Sequence, residues 1–330
     1  ALLSVIQQIQ TATGVTELTC RLTPLRRFVG LDLLWSGRPL KADKLKAWEA
    51  QPLVSEKEGY SLSLREVIEH HKGEIGLYVS RSLKDTSYVR FFLPVPYLTK
   101  PEKSRSLTIL PESRPEFYDF DMFLQAGQHP EFESRRLSEL TYTVFDLETT
   151  GLNPNGGDEI ISVGAIRIVN GRLLQNERFE QLVDPRRTIP WTSVQIHGIH
   201  PEMLQGKPTI DEVLPMFKDF VKDTILVAHN ASFDMRFLQL KEEQTGVRFE
   251  NPVLDTLLLS AVVHPSHEDH NLEAIARRLG VRILARHTAM GDAIATGEMF
   301  LKFLPLLSQK RLFTLEEALA ASQKTFYARK

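Results

Sequence analysis

The sequence predicts an α/β protein in two parts: a mixed sheet with flanking helices over residues 141 to 330, and a smaller α/β sandwich over residues 1 to 96. Two observations predict it. After residue 140, strand-like stretches come first as a hairpin and then alternate with amphipathic helices, the order expected of a mixed sheet covered on its faces. Between the parts, residues 97 to 140 read YLTKPEKSRSLTILPESRPEFYDFDMFLQAGQHPEFESRRLSEL, a polar, proline-bearing linker. Its centre, EFYDFDMF, is too aromatic for a free solvated tether and is expected to pack on one of the parts as an adaptor.

Taken in order, ALLSVIQQIQTA is helical, TELTCRL and GLDLLWSG are strand-like, LSLREVIEHHKG is a helix ending at Gly73, and EIGLYVSR with YVRFFLPV forms a closing hairpin. After the linker, YTVFDLE is a first strand. Two more follow around the Asn170-Gly171 turn, a dipeptide suited to a tight hairpin. TIDEVLPMFKDFVKD is an amphipathic helix opened by Thr209, and ILVAHNA is a buried strand. Helices are then expected in FDMRFLQLKEEQTG, closed by Gly246, in NLEAIARRLGV, closed by Gly280, and in MGDAIATGEMFLKFLPLL.

With 330 residues the chain can hold two domains with a core each, and its 42% hydrophobic and 25% charged residues are ordinary for a soluble protein. A net charge of -2 supplies no global attraction to nucleic acid, so such binding must rest on local patches or on metal-bridged phosphate. The single Cys20 excludes a disulfide framework and a cysteine-based zinc site and fits a reducing cytoplasm. No apolar run is long enough to span a membrane. The chain begins at Ala1 within a helix-like pattern, which leaves room upstream for a membrane or sensory segment.

The chemistry begins at TVFDLETTGL. Asp146 and Glu148 lie two apart on a strand and therefore share a face, beside Val144 and Phe145, with no neighbouring cation in sequence. Like charges so placed raise each other's pKa unless a cation sits between them, as at a site for Mg²⁺ or Mn²⁺. Alone, the pair also reads as an acidic strand end open to water. AHNASFD leaves a buried strand through His229 and Asn230 and delivers Asp234 to the first turn of a helix, where an acid also complements the helix dipole. RHTAMGDAIAT sets His287 before a helix and Asp292 in its first turns, and singly these read as a loop histidine and an ordinary helix-start acid. His264, His267 and His270 read as a solvated loop, with adventitious metal binding second.

Together, Asp-x-Glu-Thr-Thr-Gly, His-Asn-x-x-Phe-Asp and His-x-x-x-x-Asp, in that order, make residues 141 to 307 resemble the DnaQ-like DEDDh exonucleases, the superfamily of the proofreading epsilon subunit of DNA polymerase III. VQIHGIHPEML and HNLEAIARRLGV also resemble segments of that family. The resemblance implies a ribonuclease H-like sheet and 3′ to 5′ hydrolysis of single-stranded DNA or RNA ends to nucleoside 5′-monophosphates, DNA favoured. It also implies two divalent ions, about 4 Å apart, that stabilise the attacking and departing oxygens. In that scheme Asp146 bridges the ions, Glu148 and Asp292 hold the nucleophile-side ion, and Asp234 helps hold the other. His287, with an ordinary pKa near 6.5, takes the proton of the attacking water. Leu147, Thr149, Thr150, Ile196, His197, Asn230 and Phe233 are the expected contacts of the terminal nucleotide, with a purely structural role open for His197.

Residues 59 to 96 resemble the carboxy-terminal half of the ATP-binding domain of sensor histidine kinases, through Lys72-Gly73-Glu74-Ile75 and Phe92-Leu93-Pro94. In WSGRPL, Trp35 replaces the family's adenine-binding aspartate, GYSL is a thin remnant of the lid, and no asparagine stands at the magnesium position of the first helix. The resemblance implies a partial, degenerate ATPase-like domain that binds no ATP. Partners expected are nucleic-acid 3′ ends and a polymerase or an upstream sensory domain. A different class of function is a non-catalytic regulatory module that grips nucleic acid. Nucleotide release with and without Mn²⁺ separates the two.

Overall fold

The computed structural model describes residues 2–25, 28–37, 39–53, 62–71, 73–80, 86–94, 132 and 134–329. The linker centre EFYDFDMF, Lys72 and residues 59–61 of GYSL lie outside that set. The chain divides into two compact units, Ala1–Lys103 and Ser104–Lys330.

In the amino-terminal unit, strands β1 (Thr19–Leu25), β2 (Phe28–Ser36), β5 (Glu74–Val79) and β6 (Thr86–Pro94) form an antiparallel sheet in the order β1-β2-β6-β5. The short strands β3 (Pro52–Leu53) and β4 (Leu62–Ser63) pair apart from it. Strand alternation sends Leu33, Trp35, Ile75, Leu77, Val89 and Phe91 to one face, where they form a core with α1 (Leu2–Thr13), α2 (Ala42–Ala50) and α3 (Leu64–His70). A capping box between Ser63 and Glu66 starts α3. This is the sandwich that the hydrophobic pattern predicts.

In the carboxy-terminal unit, β7 (Tyr142–Thr149) sits at the centre of a five-stranded sheet ordered β11-β10-β7-β8-β9. Here β8 is Ile160–Val169, β9 Arg172–Leu182, β10 Ile225–Ala228 and β11 Val253–Asp255. β7, β8 and β9 run antiparallel to their neighbours, while β10 is parallel to both β7 and β11. This is the ribonuclease H-like order. The β8-β9 hairpin turns on Asn170 and Gly171, both with positive φ, as the dipeptide predicts.

Helices follow as α4 (Trp191–His197), α5 (Pro201–Leu204), α6 (Ile210–Val221), α7 (Ala231–Leu240), α8 (Glu242–Thr245), α9 (Thr256–Val263), α10 (Leu272–Leu279), α11 (Ala289–Gln309) and α12 (Leu315–Gln323). Thr209 and Glu212 cap α6, while Gly246 and Gly280 end α8 and α10 in the left-handed conformation.

β7 is buried along its whole length, so period-2 alternation splits it between two cores. Phe145 and Leu147 pack with α6 and α7, and Tyr142 and Val144 pack with α9 to α12. Asp146 and Glu148 continue the row of Tyr142 and Val144 toward the strand's end. The last linker residues, Phe132, Leu137 and Leu140, belong to the same core, as do Leu315 and Ala318 beyond the predicted helices. No helix among the described residues is long and apolar enough to cross a membrane.

Candidate active site

Asp146, Glu148 and Asp292 are buried, and one carboxylate oxygen from each lies within 4.8 Å of the others. The first two come from alternation on β7 and the third from the first turn of α11. One glycine allows that approach and another shapes the turn after β7. A Cβ on Gly164, which pairs with Asp146 across the sheet, would lie 2.3 Å from the Ala289 backbone, so only glycine lets α11 start against β8. A Cβ on Gly151 would lie 2.3 Å from the Asp158 carboxylate, which closes the turn after β7 by accepting from Thr150 Oγ1 and from the Asn153 N–H. The β7-β8 register shifts between Glu148 and Thr149, bending the strand where its acidic face ends.

Asp234, fully buried in the first turn of α7, reaches the strand through its Oδ1, which accepts the Leu147 N–H at 3.0 Å. It lies outside the three-carboxylate set within 4.8 Å and joins it through the backbone between Asp146 and Glu148. The turn that delivers it contains Asn230 at φ +56, held by a residue the sequence reading did not single out. Asp255, at the end of β11, accepts the N–H groups of Asn230 and Ala231 at 3.0 and 2.9 Å, and also caps its own helix through Leu257. Burial pushes the Asp255 carboxyl up to about 6 against these donors. His229 Nδ1 lies 3.0 Å from Thr256 Oγ1 in the same turn.

His287 is half-buried at φ +60, two residues after Ala285 at φ +57, an unusual backbone for residues with a Cβ. Its N–H donates to Asp292 Oδ2 at 3.3 Å, which ties the loop to the acid cluster. The preceding Arg286 pairs with Asp292 through Nη1 and donates to Glu273 Oε1 through Nε at 2.6 Å. Burial works against the Glu273 charge, yet the Arg286 guanidinium holds its carboxyl below the ordinary value.

The expected nucleotide contacts have structural bonds as well. Thr149 Oγ1 donates to Gly151 O, and Thr150 Oγ1 also accepts the Glu159 N–H. The Leu147 side chain and the Phe233 ring are core residues, the latter against Phe237. His197 is buried, and its Nδ1 accepts the Ile199 N–H at 3.0 Å, so it makes a structural bond whatever else it contacts. Ile196 is exposed. Among the three loop histidines, His270 departs from the expectation of a solvated loop: it is buried, within 2.8 Å of Ser260 Oγ and edge-on to Tyr327. His267 is exposed.

An all-oxygen donor set of buried carboxylates suits a hard divalent cation such as Mg²⁺ or Mn²⁺, so the residues present fit the expected metal. Two of these carboxylates lie on the central strand of the sheet and the third at the start of α11. Residues 143–300 match the family RNase_T, described as Exonuclease. The chain is 49% identical over 209 residues to a DNA polymerase III subunit epsilon-like protein of Rhodobacter capsulatus, covering 63% of this chain and 30% of that protein. It is 40% identical over 185 residues to the PolC-type DNA polymerase III of Caldanaerobacter subterraneus subsp. tengcongensis, covering 56% of this chain and 13% of the polymerase. This chain thus spans under a third of the length of either relative. Exonuclease X in complex with 5′ overhanging duplex DNA is similar over 55% of this chain and 99% of its own, with 24% identity and a TM-score of 0.45. Residues 143–300, which match the exonuclease family, lie within the carboxy-terminal unit, and that unit is where the chain is similar to exonucleases of the DNA polymerase III epsilon-like kind.

Proposed function

We propose that this protein is a metal-dependent 3′ to 5′ exonuclease that releases nucleoside 5′-monophosphates from single-stranded ends, DNA favoured, in the cytoplasm. The observation that carries the reading is the buried meeting of Asp146, Glu148 and Asp292, with Asp234 bonded to the strand between the first two. When bound, two Mg²⁺ or Mn²⁺ ions neutralise the phosphate and polarise the attacking water. Asp146, Glu148, Asp234 and Asp292 would hold the ions. His287 takes the proton of the water. Thr149, Thr150 and the backbone at Leu147 orient the terminal nucleotide, with Ile196, His197, Asn230 and Phe233 around its sugar and base.

The amino-terminal unit is read as a degenerate histidine-kinase-type domain that binds no ATP. Supporting this, Trp35, at the position where the resemblance expects an adenine-binding aspartate, is buried in the helix-sheet core. Polymerase names among the relatives favour a polymerase partner over a sensory one.

Nucleotide release from a 3′-labelled oligonucleotide tests the reading. Mn²⁺-dependent release of mononucleotides is expected, abolished by Asp146→Ala and reduced about 10² to 10⁴-fold by His287→Ala with metal affinity little changed. Release that persists in chelator, or in Asp146→Ala, would refute it.

A further inference from the structure

A short stretch beside the site carries an exposed aromatic ring that the reading above leaves unused. Of the three tryptophans, Trp35 and Trp48 are 2% and 8% exposed in the amino-terminal core, whereas Trp191 is 65% exposed. Trp191 opens α4 behind Pro190, and the helix buries Ser193, Val194 and His197. Ser193 Oγ donates to Thr150 O at 2.7 Å. The first turn of α4 is thereby fastened to the chain two residues beyond Glu148. The Trp191 ring sits 6.2 Å from the His200 ring, tilted by 57°, and the His200 N–H contacts Met203 Sδ at 3.5 Å. Trp191, His200 and the exposed Met203 thus form a small open surface anchored to the catalytic strand.

We infer that Trp191 is a stacking platform for an unpaired base adjoining the terminal nucleotide, so that the site selects a single-stranded 3′ end. This rests on the exonuclease reading. The occupant follows from continuity: the helix that buries His197 and presents Trp191 is bonded to Thr150, which that reading sets beside the terminal nucleotide. Stacking on an aromatic face takes any base and needs no hydrogen-bond partner, whereas a paired base keeps its own stack and gains nothing. With a net charge of -2 and no global attraction to the backbone, stacking also supplies affinity that electrostatics does not.

The test uses the full chain and two substrates, a single-stranded oligothymidylate and the p-nitrophenyl ester of thymidine 5′-monophosphate, which has no second base. Trp191→Ala should raise KM for the oligonucleotide about ten- to a hundredfold and leave hydrolysis of the ester unchanged, while Trp191→Phe keeps most of the affinity. Oligothymidylate added to the Asp146→Asn protein in chelator should quench the fluorescence of Trp191, the one exposed indole, and replacing Trp191 by Phe in that protein should remove the quench. An unchanged KM in Trp191→Ala, or binding without quenching, overturns the stacking role and leaves the nuclease reading standing. An equal loss on both substrates overturns it too, because Trp191 then acts through the fold. Should the unmutated chain cleave neither substrate, the nuclease reading falls and the quenching titration still decides the platform.

Discussion

Each unit buries acidic groups, and each deals with them differently. In the amino-terminal unit Asp32, fully buried on β2, receives Arg90 Nε at 2.5 Å and Nη2 at 2.8 Å, Arg21 Nη2 at 3.1 Å and Thr23 Oγ1 at 3.1 Å. The Arg90 guanidinium lies 5.3 to 5.9 Å from the Tyr78, Tyr88 and Phe92 rings. Burial works against the Asp32 charge, yet the Arg90 bonds and charge, with help from Arg21 and Thr23, hold its carboxyl below the ordinary value. In the carboxy-terminal unit the three clustered carboxylates meet one another, and Arg286 pairs with Asp292. A buried acid that serves stability is surrounded by cations from its own sheet. Acids gathered against like charges serve a ligand, and the fold sustains them at a cost.

The largest effect should come from removing the cation on the stabilising side. Arg90→Met leaves Asp32 short of its main partner in the interior and should destabilise the amino-terminal unit by about 3 to 5 kcal/mol, the usual loss for breaking a buried pair. Asp146→Asn should do the reverse in the other unit, holding or raising its thermal stability in chelator because one of the like charges is gone. Chemical denaturation of each variant in chelator reads both. A large loss of stability in Asp146→Asn would erase the contrast.

The second effect concerns Asp255, a buried acid that serves geometry. Its carboxyl is raised from 3.8 to about 6, so its stabilising contribution is complete below pH ~4 and lost as pH rises through about 6. At about 1.4 kcal/mol per pKa unit, the stability difference between the unmutated chain and Asp255→Asn should fall by about 3 kcal/mol across that window. Denaturation at pH 3.5 and pH 7 measures it. A pH-independent difference would mean that the backbone donors, and not burial, govern this carboxyl.

The acids of the site were legible because their signal is local. Asp146 and Glu148 share a face by strand alternation alone, and Asp234 and Asp292 stand at helix starts that the pattern marks. The supports were not legible, because their partners are remote in sequence or depend on packing. Asp255 bonds Asn230, 25 positions away, and Ser193 bonds Thr150, 43 away. Gly164 matters only once α11 lies against β8. The same distinction explains the linker's end. Leu137 and Leu140 look unremarkable in a polar stretch, yet they fill a core whose other members lie far along the chain. His270 was misjudged for want of Ser260 and Tyr327, one a helix away and the other near the end of the chain.

The smallest effect probes Arg286, a cation paired with the acidic cluster. Arg286 is divided between Glu273 and Asp292, a half-buried guanidinium bridging a surface acid and a site acid. A divalent ion entering the cluster must share Asp292 with that charge. Arg286→Ala should therefore tighten Mn²⁺ binding by a few-fold, in keeping with the ~1 kcal/mol or less of a partly exposed pair. Glu273→Ala should act in the opposite direction, since a guanidinium released from Glu273 is held by Asp292 alone. Calorimetric titration of Mn²⁺ into the three proteins reads the difference without any turnover. Weaker binding in Arg286→Ala would give the arginine another role, that of holding the loop in the shape from which the His287 N–H meets Asp292, and would move it to the stabilising side of the comparison, with Arg90.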